Sequence, residues 1–203
     1  MKVLVTGFNP FDGHTINPSW EAVKELPKQI AGADIVKYKL PTEFNASSNM
    51  MKTALAKEKP DFVICVGQAA GRDGITIERV AINVEDARIP DNAGFQPYDY
   101  KVHMNAPTAY LSTLPIKDMV KDIKEAGYKA SISNTAGTFV CNTVMFTALH
   151  YANQYKPKPK CGFIHVPLCT TQSTPFNDAL PKMELADIVK CLEIAIKSAI
   201  ENC

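Results

Sequence analysis

Apolar runs and helical periodicities alternate along the whole 203-residue chain. Short runs rich in apolar and β-branched residues predict strands; they cover residues 2–5, 35–40, 62–66, 75–84, 128–133 and 161–166. Apolar positions three or four residues apart predict amphipathic helices; these cover residues 20–26, 44–56, 115–126, 140–152 and 183–200. The alternation is typical of an α/β fold with a mostly parallel, twisted central sheet and helices on both faces. The length suits a single domain over residues 1–203.

The charge balance excludes some classes of partner. Lys and Arg number 22 against 21 Asp and Glu, which gives a formal net charge of +1. This balance offers no electrostatic attraction to nucleic acid or to an anionic membrane surface, so neither is expected as a partner. The apolar run at residues 3–5 is too short for a signal peptide, and no stretch is long enough to span a membrane.

The six cysteines, at positions 65, 141, 161, 169, 191 and 203, form no C-x-x-C pair. This favours reduced thiols in a cytoplasmic protein. Cys161, His165 and Cys169 are spaced by four, but four strand residues span roughly 13 Å, so these side chains cannot close on one ion. The glycines of GQAAGRDG, residues 67–74, lack the G-x-G-x-x-G spacing of a dinucleotide loop. We therefore expect neither a metal nor a cofactor.

Cys141 is the candidate nucleophile. It lies in SNTAGTFVCNTVM, residues 133–145, where a turn rich in Asn, Thr and Gly gives way to a helix. The free N–H groups and the dipole of the helix's first turn favour an anion, so we expect them to lower the thiol pKa. The same N–H groups suit the oxyanion of an attacked carbonyl. The alternative is that Cys141 is a small buried apolar residue.

Glu78 is the candidate acidic residue. In ITIERVAINVEDARIPDN, residues 75–92, the apolar phase of Ile75 and Ile77 changes before Val80, which indicates a bend or bulge. Glu78 then falls on the apolar side of the second phase, where a carboxylate needs a partner. One reading is a structural ion pair with Arg79 or Arg88; the other is a functional carboxylate.

Of the four histidines, His165 is the best candidate base. His150 lies nine residues along the same helix as Cys141, roughly 13 Å away, and is excluded. His14 and His103 lie in loops that the sequence does not place. His165 is near the carboxyl end of a strand, the edge where α/β sheets bind ligands. A buried structural histidine is the alternative, but beside a reactive cysteine a Cys-His pair oriented by Glu78 is favoured.

Two loops carry further candidates. The segment GFNPFDGHTINPSW, residues 7–20, contains Phe8, Phe11 and Trp20, which either pack the loop or line a pocket. Asn17 or Ser19 can cap the helix that follows. Residues 90–107 show no usable periodicity, which is typical of a binding loop or an interface segment.

Taken together, these segments resemble the type I, cysteine-dependent pyroglutamyl peptidases, also called pyrrolidone carboxyl peptidases. The resemblance is carried by TGFNPFDG, NPSWEAV, GQAAGR, ITIERVAINVEDARIPDN, SNTAGTFVCN and GFIHVP, in the family's order between residues 6 and 167. It implies an α/β fold, removal of an amino-terminal pyroglutamate from peptides through a thioester, and a homotetramer, the assembly common among the family's microbial members.

The resemblance also implies roles for individual residues. The family's nucleophile, histidine and acidic residue fall on Cys141, His165 and Glu78. Its oxyanion-stabilising arginine falls on Arg88. The substrate-binding candidates are a hydrophobic clamp at the lactam ring and polar or backbone positions around it: Phe8, Phe11, Asn17, Gln68 and Val140. After GFIHVP the chain departs from the family, with LCTTQ in place of an aromatic residue, Leu or Ile, Pro and Glu.

Two other function classes are compatible with the sequence alone. A phosphorylase or nucleoside hydrolase would use the Gly-rich strand ends for phosphate or ribose, and its base release would resist iodoacetamide. A non-enzymatic binder of small ligands would keep an inert Cys141, which would alkylate no faster than free cysteine.

Overall fold

The computed structural model describes residues 1–172 and 179–203. Its strands are Lys2–Phe8 (β1), Gln29–Ile30 (β2), Ala33–Leu40 (β3), Phe62–Gln68 (β4), Ile75–Glu78 (β5), Val80–Ile82 (β6), Ala109–Leu111 (β7), Ala130–Ser133 (β8), Lys160–Val166 (β9), Leu168–Cys169 (β10) and Lys182–Met183 (β11). Its helices are Pro18–Glu25 (α1), Phe44–Glu58 (α2), Ile116–Glu125 (α3), Val140–Ala152 (α4) and Leu185–Glu201 (α5).

A seven-stranded sheet with the order β2-β3-β1-β4-β9-β5-β8 forms the centre of the fold. Strands β3, β1, β4 and β9 are parallel to one another. Strand β5 runs antiparallel to β9 and parallel to β8, and β2 is antiparallel to β3. The carboxyl ends of β4 and β9 therefore lie side by side, with Gly67 paired to His165.

Helices cover both faces of this sheet. Residues of α1, α3 and α5 form one core cluster with one side of the strands, including Val23, Met119 and Leu192. Residues of α2 and α4 form a second cluster with the other side, including Met51 and Phe146. Both clusters consist of apolar side chains with almost no solvent exposure. The predicted α/β fold with a mostly parallel sheet and helices on both faces is confirmed.

Several strands begin or end at residues other than those predicted from the sequence. Strand β1 continues to Phe8 and β4 to Gln68, through the glycines that the sequence suggested as strand ends. The phase change after Glu78 is a real break, because β5 belongs to the main sheet whereas β6 pairs with β7 in a separate two-stranded sheet. The remaining short strands β2, β7, β10 and β11 have only two or three residues, too few to show a period.

The segment between β6 and β7 is irregular, as predicted, but it is anchored at several points. Glu85 and Tyr100 form an isolated β-bridge. The Asn83 side chain accepts from the His103 backbone N–H at 2.9 Å and donates to its carbonyl at 2.8 Å. These bonds fold the segment back upon itself beside α4. Among the described residues, no helix has the length and apolarity needed to cross a bilayer.

Candidate active site

Cys141 lies on the sheet face that α2 and α4 cover, directly above Gly67 of β4. A Cβ atom on Gly67 would lie only 2.8 Å from the Cys141 Sγ and 2.7 Å from the Phe163 ring. The missing side chain therefore leaves the space that the thiol occupies. Because Gly67 is the register partner of His165, this arrangement brings the thiol to the strand pair that carries the imidazole. Cys141 and His165 line the same pocket.

His165 is held by Glu78. The His165 Nδ1 lies 2.7 Å from the Glu78 Oε1, and both side chains are almost fully buried. The antiparallel pairing of β5 with β9 explains the contact: Thr76 is opposite His165, and Glu78 points to the same face two residues later. With Nδ1–H donated to the carboxylate, the imidazole Nε2 is left as the acceptor, as a general base requires.

The ion pair of Glu78 forms with a residue that the sequence did not single out. Arg72 Nη1 donates to the Glu78 Oε1 at 2.7 Å. Arg79 instead donates from Nε to the Asn134 Oδ1 at 2.7 Å, and Arg88 lies at the pocket. The expectation of a pair with Arg79 or Arg88 is therefore wrong. Arg72 precedes β5, and its side chain extends along the strand to Glu78, the last residue of β5. The spacing of the two residues in the sequence does not reveal this contact.

The protonation states of the three groups are coupled. Burial raises the pKa of the Cys141 thiol to about 12, and the nearby Glu78 carboxylate acts in the same direction. Burial lowers the pKa of His165, although Glu78 opposes that change. For Glu78, burial raises the pKa, but the hydrogen bond and charge of His165 together with Ser133 and Arg72 leave it lowered overall.

The expectation of a lowered thiol pKa is therefore wrong. The helix N-terminus favours the thiolate, but desolvation of the sulfur and the Glu78 charge outweigh it. These shifts favour the uncharged forms of the thiol and the imidazole, whereas the lowered pKa of Glu78 favours its carboxylate. A neutral thiol and a neutral imidazole can ionise together by transfer of the thiol proton to the imidazole.

The pocket beside Cys141 has a volume of about 290 Å³. The residues that line it provide apolar walls, polar side chains and the Cys-His pair: Phe11, Asp12, Gln68, Asp86, Arg88, Ile89, Ala136, Thr138, Phe139, Cys141 and His165. A cavity of about 330 Å³ lies at the opposite edge, near Pro60 and Lys156, where β4 and β9 begin. It contains neither a cysteine nor a histidine, so the smaller pocket is the functional candidate.

The segment that carries Arg88 is bonded to the start of α4. Asn142 Oδ1 accepts from the Ile82 N–H at 2.9 Å, and Asn142 Nδ2 donates to the Ile82 and Val84 carbonyls at 2.9 Å each. Thr138 Oγ1 donates to the Asp86 carbonyl at 2.7 Å. Within the described part of the chain no side chain caps α4. Its first N–H groups therefore remain uncapped beside the thiol.

The other sequence candidates divide between the pocket and the core. Phe11 and Gln68 line the pocket. Phe8 is 2% exposed and packs behind it on Phe163, with ring centroids 6.3 Å apart. Asn17 is buried and caps α1 through Ser19 N. Val140 is buried in the cluster under α4. A direct side-chain contact of substrate with Phe8, Asn17 or Val140 therefore has no support from their positions.

Three residues at the site were missed from sequence. Phe139 lines the pocket next to Phe11, with ring centroids 6.0 Å apart. Its place two residues before Cys141 was an available signal. Gln172 Nε2 donates to the Gln68 Oε1 at 2.9 Å, which directs the Gln68 amide nitrogen away from it. Arg72, the third, lies in GQAAGR, from which only Gln68 was taken as a candidate site residue.

The segment LCTTQ, residues 168–172, in which the chain departs from the family's sequence, lies within the described part of the structure. Leu168 and Cys169 form β10 against β11, and both are buried. All six cysteines are free. Over residues 1–172 and 179–203, no three His, Cys, Asp or Glu side chains are grouped so that they could hold a metal ion.

The chain is similar to known proteins over its full length. A family model described as pyroglutamyl peptidase matches residues 1–202. The pyrrolidone-carboxylate peptidase of Alkaliphilus oremlandii is 54% identical over 202 residues, which cover 100% of this chain and 94% of that protein.

Solved structures show the same likeness. Pyroglutamyl peptidase I from Bacillus amyloliquefaciens superposes with a TM-score of 0.93 at 45% identity, covering 98% of this chain and 94% of that one. A mutant pyrrolidone carboxyl peptidase from Pyrococcus furiosus gives a TM-score of 0.95 at 41% identity, covering 99% of each chain.

Proposed function

The chain belongs to the pyroglutamyl peptidase family, and we propose that Cys141, His165 and Glu78 carry out the hydrolysis of a pyroglutamyl amide bond in its pocket. The enzyme is a cysteine-type hydrolase acting on peptides with an amino-terminal pyroglutamate. This excludes the phosphorylase and the non-enzymatic binder considered above. The observation that carries the residue assignment is the convergence of a helix-start thiol and a Glu78-bound imidazole on one pocket.

Acylation begins with the neutral pair. His165 Nε2 accepts the thiol proton as the Cys141 sulfur attacks the pyroglutamyl carbonyl, because the thiol is too weak an acid to ionise beforehand. The imidazolium that forms is stabilised by the Glu78 carboxylate at 2.7 Å. The carbonyl oxygen becomes an oxyanion, which the N–H groups at the start of α4 and the Arg88 guanidinium stabilise.

The intermediate then collapses to products. His165 returns its proton to the leaving amine, the C–N bond breaks, and pyroglutamate remains on Cys141 as a thioester. Water enters, gives a proton to His165 and adds to the thioester carbonyl. The C–S bond breaks, Cys141 recovers the proton, and free pyroglutamate leaves. The proton balance closes without a metal or an external base.

The pocket suits a lactam ring. Pyroglutamate is flat and neutral and has no free amine, so it needs apolar walls and one or two hydrogen bonds rather than a carboxylate. Phe11 and Phe139 supply apolar walls. Gln68 presents its amide nitrogen because Gln172 occupies its oxygen, and a lactam carbonyl is a fitting acceptor. Phe139 thus replaces Phe8 as the second ring of the clamp.

A fluorogenic pyroglutamyl amide tests the assignment. Cys141→Ser is expected to release no fluorophore above background, because a serine hydroxyl is a far weaker acid than a thiol. Cys203→Ser is the matched control, since Cys203 is exposed and lies beyond the last residue of α5. It should retain wild-type turnover. Near-native turnover by a folded Cys141→Ser protein would refute the nucleophile assignment.

We also propose a homotetramer in the cytoplasm. Large apolar side chains are exposed on β7 and the segment before it: Tyr98 is 82% exposed, Met104 76% and Leu111 67%. Exposed apolar side chains of this size favour contact with a second copy. Light scattering on Leu111→Lys should show a smaller assembly than wild type, and an unchanged mass would exclude Leu111 from the contact. The cytoplasmic location is supported by the six free thiols, which favour a reducing compartment.

A further inference from the structure

Arg72 contacts both halves of the active site without lining the pocket. Its side chain is 27% exposed and lies in the loop between β4 and β5. Nη1 donates to the Glu78 Oε1 at 2.7 Å and also to the Thr76 Oγ1. Nη2 donates to the Thr135 carbonyl at 3.3 Å, in the turn that leads to Cys141. One guanidinium therefore joins the acidic residue to the segment that delivers the nucleophile.

The Glu78 carboxylate uses one oxygen for two partners. Oε1 accepts from Arg72 Nη1 and from His165 Nδ1, each at 2.7 Å. Oε2 is buried and accepts no short hydrogen bond among the described residues, although nearby Ser133 also helps to lower the Glu78 pKa. Without Arg72, the bond from His165 would be the one short hydrogen bond left on the carboxylate among those residues. Arg72 therefore helps to fix the direction in which Oε1 faces the imidazole.

We propose that Arg72 is a positioning residue for the catalytic Cys-His-Glu group, holding Glu78 ionised and aligned with His165 and tying the turn before Cys141 to it. This inference rests on the proposed function, because it assigns a role within the same site. Arg72 does not touch the pocket, so it is not itself a catalytic residue.

The charge of Arg72 has a predictable effect on titration. It opposes protonation of His165 and stabilises the carboxylate of Glu78. Because Glu78 and His165 titrate as a coupled pair, removing a neighbouring positive charge raises the proton affinity of the pair as a whole. The other charged or titratable groups nearby are unchanged by the substitution: Asp12, Cys65, Asp73 paired with Lys129, Asp86, Arg88 and Cys141.

The variant Arg72→Met removes the charge and the donors at similar side-chain length. We expect its kcat/KM at neutral pH to fall by about 10- to 100-fold. A general base typically accelerates a reaction by about 100- to 10,000-fold, and a misaligned His165 would lose part of that acceleration. The acid limb of kcat/KM should move to higher pH, because the base must be unprotonated in the free enzyme. Arg72→Lys keeps the charge and should leave the limb near its wild-type position.

Arg79→Met is the matched control. It also removes an arginine that bonds to the turn before Cys141, through Asn134, but it has no bond to Glu78. Its acid limb should coincide with that of wild type. If Arg72→Met and Arg79→Met lower activity equally and leave the limb in place, Arg72 only stabilises the turn and the inference is overturned.

A second measurement needs no substrate. In protein labelled with ¹⁵N-histidine, the His165 ring signals are those missing from a His165→Gln sample. The pKa of His165 should be higher in Arg72→Met than in wild type, because the bond from His165 to Glu78 remains while the opposing charge of Arg72 is gone. An unchanged His165 titration would overturn the inference even if the wild-type enzyme cleaves pyroglutamyl amides. Conversely, absence of that cleavage in wild type would refute the proposed function and leave this titration measurable.

Discussion

Gly67→Ala adds the smallest possible side chain at the point where the Cys141 thiol lies on the sheet. The new Cβ would be 2.8 Å from the Cys141 Sγ, and 2.7 and 2.9 Å from two atoms of the Phe163 ring. Ordinary contacts of a Cβ begin at 3.4 Å. The sulfur and the ring must therefore each move by roughly half an ångström or more, away from β4.

The two consequences of this movement differ in size. Overpacking a core by one methyl typically costs about 1–3 kcal/mol, which lowers the melting temperature of a 200-residue protein by about 2–12 °C. Displacing a nucleophile by up to about 1 Å can lower the rate by about 100-fold. We therefore expect Gly67→Ala to fold and to lose far more activity than stability.

Gly162→Ala is the matched control for this prediction. Its Cβ would be 2.5 Å from Leu114 Cδ1 and 2.6 Å from Ser112 Oγ, a comparable clash near the beginning of β9. We expect it to lower the melting temperature to a similar extent while kcat stays within about threefold of wild type, since the nucleophile is not displaced. The assay is kcat on a pyroglutamyl amide, corrected for folded fraction by thermal unfolding. Equal kcat values for the two variants would refute the placement of the thiol over Gly67.

Two further changes test the pocket and the histidines outside it. Phe11→Ala removes one apolar wall of the pocket. Burial of part of a ring is worth about 1–2 kcal/mol, so steady-state kinetics should show KM raised about 5- to 30-fold with kcat less affected. An unchanged KM would contradict the assignment of Phe11 as a pocket wall. His103 and His150 are stacked with ring centroids 4.5 Å apart, and burial lowers the pKa of both. Because the unfolded chain binds protons first below about pH 6.5, urea unfolding should show stability falling from pH 7 to pH 5. His150→Gln should reduce that fall, and an identical fall would contradict the account.

Most of the fold could be predicted because its signals are local. The continuous apolar run of β4 and the four-residue apolar spacing of α4 each fix an element without knowledge of its neighbours. The direction of β5 could not be predicted in this way. It runs antiparallel to β9, and that direction is set by long-range pairing of Thr76 with His165 rather than by any residue pattern.

Some residues of the site could be predicted from their chemical type and their place in the predicted elements. The properties of others depend on the three-dimensional arrangement and could not be predicted. Cys141 and His165 could be paired because helix starts and the carboxyl ends of parallel strands meet at one sheet edge. The thiol pKa could not be predicted from the helix dipole alone, since burial and the Glu78 charge act the other way. Phe8 and Phe11 are three residues apart, yet only Phe11 lines the pocket, because Phe8 is the last residue of β1 and points into the core.

The most direct test compares the remaining peptidase activity with the fraction of Cys141 that has been alkylated. The enzyme is treated with increasing iodoacetamide, the alkylated fraction of each cysteine is measured by peptide mass spectrometry, and the same samples are assayed on a pyroglutamyl amide. Activity should fall linearly with the modified fraction of Cys141 to zero at complete modification, whatever the state of exposed Cys203. Turnover that persists when Cys141 is fully alkylated would contradict the central claim.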